Sequence, residues 1–173
     1  NQREHLYQHD MGLVRLRRDF HRYPELGFQE TRTAGVIAEY LRGLGLAPTT
    51  GIAETGVVAM VGGESPGRRT LLLRADMDAL PIEEQGEKEY RSGFTGVMHA
   101  CGHDGHCATL LTACSALQRD AALLNGGRVK AIFQPAEEGA GGAKRMIEEG
   151  VLESPHVDAA LGLHYWSILP TGK

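Results

Sequence analysis

The densest group of reactive side chains is His99-Ala100-Cys101-Gly102-His103-Asp104-Gly105-His106, three histidines, a cysteine and an aspartate within eight positions. Cys101 and His103 are two apart, so in an extended segment both would face one side and could share a metal ion. A thiolate beside an imidazole suits a borderline or soft divalent ion such as zinc, cobalt, nickel or manganese at a hydrolytic site. The plainer alternative is a polar loop opening a helix, with Asp104 as N-cap and the histidines in solvent. Cys107 and Cys114 follow on that helix and read as small core residues.

Other candidates stand apart in sequence. The adjacent carboxylates Glu137-Glu138 repel one another, and burying both without a cation is costly. In a convergent site one would bind metal while the other handled protons; elsewhere the pair would be a solvated surface feature. Asp76 and Asp78, again two apart, precede Leu80-Pro81. One of them would hydrogen-bond a ligating imidazole and fix its tautomer, unless both cap the next turn. His164, before Tyr165-Trp166, is either a third imidazole for the site or a structural histidine.

Something must bring these residues together. Apolar positions Leu13, Leu16 and Phe20 recur at helical spacing from Met11 to about His21, stopped by Pro24. A second amphipathic helix is predicted from about Glu30 to Gly43 or Gly45. Four short apolar runs follow, 57–61, 70–73, 129–133 and 159–163. Without polar alternation, they suggest strands buried on both faces. Helical stretches at about 104–117 and 142–149 separate the later ones. The predicted order is helix, helix, strand, strand, helix, strand, helix, strand, an α/β layered fold. Function in such sheets gathers beyond the carboxyl ends of the strands. Asp76 and Asp78, Glu137-Glu138 and His164 all follow strand ends.

A net charge of −4, with 18 basic residues scattered, gives no electrostatic reason to expect nucleic acid or an anionic membrane surface. No apolar run approaches the roughly 18 residues that span a bilayer, and the polar start lacks a secretory signal's hydrophobic core, so a cytoplasmic location is expected. Three cysteines are too few, and odd in number, for a stapled secreted scaffold; free or metal-bound thiols are expected.

At 21–28 (HRYPELGF), 74–81 (RADMDALP), 98–106, 133–142 with Met146-Ile147, and Leu163-His164, the chain resembles a group of amidohydrolases. The group includes hippurate hydrolase, N-acyl-amino-acid amidohydrolases, N-acetyl-diaminopimelate deacetylase and the plant indole-acetyl-amino-acid hydrolases. The segments span nearly the whole chain in that family's order.

The resemblance implies a three-layer helix-sheet-helix, zinc-peptidase-like catalytic domain with a mostly parallel central sheet, residues 1–173 being its N-terminal portion. It implies two divalent ions (Zn, Mn, Co or Ni) bridged by Cys101, one held also by His103 and His164, the other by Glu138. Glu137 would be the general base and Asp78 would orient ligands. Asp76 stands where more distant metallopeptidase relatives carry a metal-binding histidine. A lid and dimerisation domain, and a returning catalytic segment with a last ligating histidine, are expected outside these residues, in a homodimer or homotetramer.

The expected substrate is an N-acyl amino acid, cleaved at its amide by a metal-bridged water that Glu137 deprotonates; Glu137 then protonates the leaving amine. Two rivals stand beside this. One is a thiol hydrolase with Cys101 as nucleophile and His103 or His99 as base. The other is a non-catalytic metal-binding fragment or interaction module.

Overall fold

The computed structural model describes residues 2–63 and 68–170. Its elements are α1 (Gln2–Arg22), α2 (Thr31–Gly43), β1 (Thr49–Ile52), β2 (Gly56–Gly62), β3 (Thr70–Asp76), α3 (His103–Arg119), a 3₁₀ turn at Ala121–Leu124, β4 (Arg128–Gln134), α4 (Gly142–Glu148) and β5 (Ala159–Gly162). The five strands form one sheet in the order β1-β2-β4-β3-β5. β3 runs parallel to both β4 and β5, while β2 runs antiparallel to β4 and to β1. The parallel trio is the expected sheet; the β1–β2 hairpin extends it in the opposite sense.

Helices cover both faces. On one, Phe20, Ile37, Leu41 and Leu111 pack on Val57, Ala59, Val61, Ala75 and Phe133; on the other, Met146 and Val151 pack on Leu72 and Ile132. The α2 face Thr33, Ala34, Ile37, Ala38 and Leu41 is buried at the expected helical spacing. Lys130 lies inside the buried run of β4, and its Nζ donates to the carbonyls of Val151, Glu153 and Pro155, each at 2.8 Å. Those three acceptors satisfy the ammonium and tie the segment before β5 to the sheet.

Two expectations are corrected. α1 begins at Gln2, not Met11, because Gln2–Asp10 lacks the apolar periodicity that marks a helix in sequence. β1, Thr-Thr-Gly-Ile, is an exposed edge strand with a bulge and no apolar run, so nothing in its pattern announced it. Among the described residues no helix is long and apolar enough to cross a membrane.

What the fold does for function is simple. β3, β4 and β5 all end at one rim, and α3 begins there. The β3–α3–β4 crossover places the first turn of α3 against the sequels of the strands.

Candidate metal centre

The turn into α3 is set by Gly102, whose φ of +86° is left-handed, a conformation that costs glycine little and other residues more. Cys101 and His103 are therefore not on an extended segment, as their spacing suggested. They flank a tight helix start, and converge all the same. Donor atoms of Cys101, His103 and His164 lie within 4.8 Å of one another, as do those of His103, Glu137 and Glu138. Cys101 Sγ is 3.5 Å from His164 Nε2. Asp104 does not cap the helix: it is buried, 2.7 Å from His21 Nδ1 and 2.9 Å from Arg17 Nε.

The hydrogen bonds fix the imidazole tautomers. His103 Nδ1 donates to the Asp78 carbonyl at 2.9 Å and to Asp78 Oδ1 at 3.2 Å. His164 Nδ1 donates to the Tyr165 carbonyl at 2.7 Å. Both rings are thus left with Nε2 toward the rim. His103 Nε2 is buried without a hydrogen-bond partner among the described residues, and lies 3.6 Å from Asp76 Oδ2 and 3.9 Å from both Glu137 Oε2 and Glu138 Oε1.

These atoms test whether cations fit. Burial alone would lower the His103 pKa, but its bond to Asp78 and the charges of Asp76, Asp78 and Glu137 raise it: the pocket favours positive charge at Nε2. For Cys101, burial and then Glu138, Glu137 and Asp76 push the thiol up to about 11. With so many carboxylates nearby, a thiolate forms here only beside a compensating cation. An unpartnered imidazole nitrogen, a thiol and two glutamates turned to one spot are a donor set suited to divalent metal.

The carboxylates do different things. Asp78 uses Oδ1 on His103 and Oδ2 to accept the Glu138 backbone N–H at 2.9 Å, so one residue aligns an imidazole and the Glu137-Glu138 turn. Glu30, also buried, accepts the Ala136 N–H at 2.9 Å and Thr55 Oγ1–H at 2.6 Å, bracing the same turn. The Glu138 side chain, 28% exposed, is bonded to Cys101, whereas Glu137 is more open at 37%.

Sequence reasoning missed several partners. Asp76 is bonded not to His103 but to His106, whose Nδ1 is 2.6 Å from Asp76 Oδ1. His21 lies fully enclosed between Asp104 and Glu84, which no local pattern signals. Glu30, read only as a helix start, was likewise unremarked. His99 is buried, which holds its pKa down to about 4, and belongs to none of the candidate ligand groups among the described residues. Cys107 and Cys114 are buried in the core, Cys107 Sγ donating to the Asp76 carbonyl.

Comparison with known proteins now has geometry to rest on. The model of peptidase family M20/M25/M40 matches residues 72–173. Thermostable carboxypeptidase 1 of Saccharolobus solfataricus is 47% identical over 163 residues, covering 92% of this chain and 40% of that protein. An N-acyl-L-amino acid amidohydrolase of Geobacillus stearothermophilus is 43% identical over 165 residues, 93% of this chain and 43% of its own length. Among solved structures, the Bacillus subtilis YXEP protein, described as a dinuclear metal binding peptidase from the M20 family, superposes with a TM-score of 0.88 at 40% identity, over 95% of this chain and 45% of that one. The chain thus spans about two fifths of the length of the curated relatives it matches.

Proposed function

The chain belongs to peptidase family M20/M25/M40, and from that premise we propose that the protein hydrolyses the amide bond of N-acyl amino acids at a centre of two divalent ions. The carrying observation is the unpartnered His103 Nε2, facing Glu137 and Glu138 beside Cys101 and His164. In this reading Cys101 bridges the ions, His103 and His164 hold one, and Glu138 holds the other. Such ions polarise an amide carbonyl and draw the pKa of a water toward neutrality. A last ligating histidine and a lid and dimerisation domain, in a homodimer or homotetramer, would complete the second ion's shell and the substrate pocket. Three free thiols suit a reducing compartment, and the cytoplasm is part of the proposal.

This chain's residues do the rest. Asp78 keeps His103 in the Nδ1–H tautomer and aims its lone pair into the centre. Glu138, tethered through its backbone to Asp78 and through its side chain to Cys101, is the carboxylate suited to ligation. Glu137, the more open, has the freedom to take a proton from the attacking water and hand it to the departing amine. The carboxypeptidase and acyl-amino-acid amidohydrolase names of the relatives support an amide with an amino-acid part. The thiol-nucleophile reading fares worse: burial and the carboxylates keep Cys101 protonated, with its pKa at about 11, when a nucleophile requires the opposite.

The test is Glu137→Gln in the complete protein, assayed with metal analysis and a panel of N-acyl amino acids. We expect both ions retained and kcat lowered by about 10²- to 10⁴-fold. Unchanged turnover with both ions bound would remove the base assignment, and activity that survives metal removal but not thiol alkylation would replace the whole reading.

A further inference from the structure

Building on the metal-centre reading, we propose that Asp76, His106 and Tyr165 form a latch that positions His164, with His106 as its pivot and not as a ligand.

His164 sits on the least supported part of the rim. All four residues of β5 are exposed, and so are residues 163–170. A ligand on such a segment needs anchoring if it is to be held within a fraction of an ångström. The anchor is the next residue. His106, 5% exposed, donates from Nδ1 to Asp76 Oδ1 at 2.6 Å, which leaves Nε2 as an acceptor, and Nε2 takes the Tyr165 backbone N–H at 3.0 Å. The Tyr165 ring lies across the first turn of α3, where Gly105 makes room: a Cβ there would stand 2.3 Å from Tyr165 Cε2. One turn on, Tyr165 OH meets Thr109 Oγ1 at 2.6 Å. A backbone bond, a ring contact and a hydroxyl bond thus pin Tyr165 to α3, and His164 beside it is turned toward Cys101.

The same contacts argue against His106 as a ligand. Donor atoms of Asp76, His103 and His106 also fall within 4.8 Å of one another. Yet both His106 nitrogens are engaged, Nδ1 by a carboxylate and Nε2 by a backbone N–H, whereas His103 and His164 each keep Nε2 toward the rim. The latch also accounts for Asp76, a wholly buried carboxylate at the end of β3: it sets the tautomer of the pivot.

The experiment is a mutant cycle read by metal affinity, using chelator competition and the Co(II) spectrum of the complete protein, with melting of each metal-free variant as a control for folding. His106→Ala should weaken one of the two ions by about 10- to 100-fold. His164→Ala should weaken the same ion, and the double variant no further than His164→Ala alone, because His106 acts through His164. Tyr165→Phe and Thr109→Val should each weaken that ion less, and without adding to one another. Asp76→Asn, which keeps an acceptor for His106 Nδ1–H, should lose less than Asp76→Ala. Losses that add between His106→Ala and His164→Ala would make His106 a ligand and overturn the latch. So would unchanged affinity in His106→Ala and Tyr165→Phe while His164→Ala loses an ion. If His164→Ala itself loses nothing, the metal-centre reading fails, and the latch with it.

Discussion

His21 and His103 are both fully buried imidazoles set among carboxylates, and adjacent residues of α3 serve them, yet they are built for opposite ends. His21 is closed: Nδ1 meets Asp104 at 2.7 Å, Nε2 meets Glu84 at 2.9 Å, and Arg17 and Lys88 approach the same two carboxylates at 2.9 and 2.7 Å. His103 is open: one nitrogen is held by Asp78 and the other faces carboxylates without touching any. The first region spends every donor on the fold, whereas the second withholds one for a cation. A buried charge cluster therefore speaks for function only when its hydrogen-bond account is incomplete.

Breaking the open side should have the largest consequence. His103→Gln removes the lone pair at the centre of the group, and we expect metal affinity to fall by more than about 100-fold, beyond the usual loss for a supporting residue. Calorimetric titration of the metal-free protein checks this. A variant that binds both ions normally would place the centre elsewhere.

Breaking the closed side should instead cost stability. His21→Leu strands Asp104 and Glu84 in the interior, and loss of one partner of a buried pair costs about 3–5 kcal/mol. Urea unfolding of the metal-free protein measures it. The pH dependence sharpens the point. Burial opposes charge on His21, but bonds to Asp104 and Glu84 raise its pKa above 6.5, so its contribution is complete below 6.5 and fades as pH rises through the raised value. Burial would raise Glu84, yet Lys88, the Ser92 N–H and His21 hold it down at about 2 from 4.5, so its contribution is complete above 4.5 and fades as pH falls toward 2. The stability gap between wild type and His21→Leu should be widest between about 4.5 and 6.5; a gap flat across pH would deny that His21 is charged in the fold.

Smallest of all should be the outer cations. Lys88 is about one-third exposed, so Lys88→Met should cost under about 1 kcal/mol by the same unfolding measurement. A loss as large as that of His21→Leu would show that the network's charge balance resides at its edge.

Much of the centre was legible because its residues follow strands that short apolar runs disclose. Asp76, Glu137-Glu138 and His164 lie at or just past the ends of β3, β4 and β5, and parallel pairing brings those ends to one rim. Cys101 and His103 were legible as types, although the turn that joins them is a glycine-set helix start and not an extended segment. His106 was visible only as one more histidine in a cluster. Its role depends on Tyr165, 59 residues away, and on which nitrogen is already taken. β1 was illegible because an exposed edge strand has no buried face to imprint on its sequence.

By itself, the sequence determined the layered α/β order and the stock of thiol, imidazole and carboxylate groups, since burial imposes periodicity and strand ends are marked by it. Only the tertiary structure decided how those groups divide. Whether a histidine is a ligand, a latch or a strut depends on the partners of its two nitrogens. Those partners lie 83 and 63 residues from His21, and 30 and 59 from His106, distances at which chain order carries no geometric information.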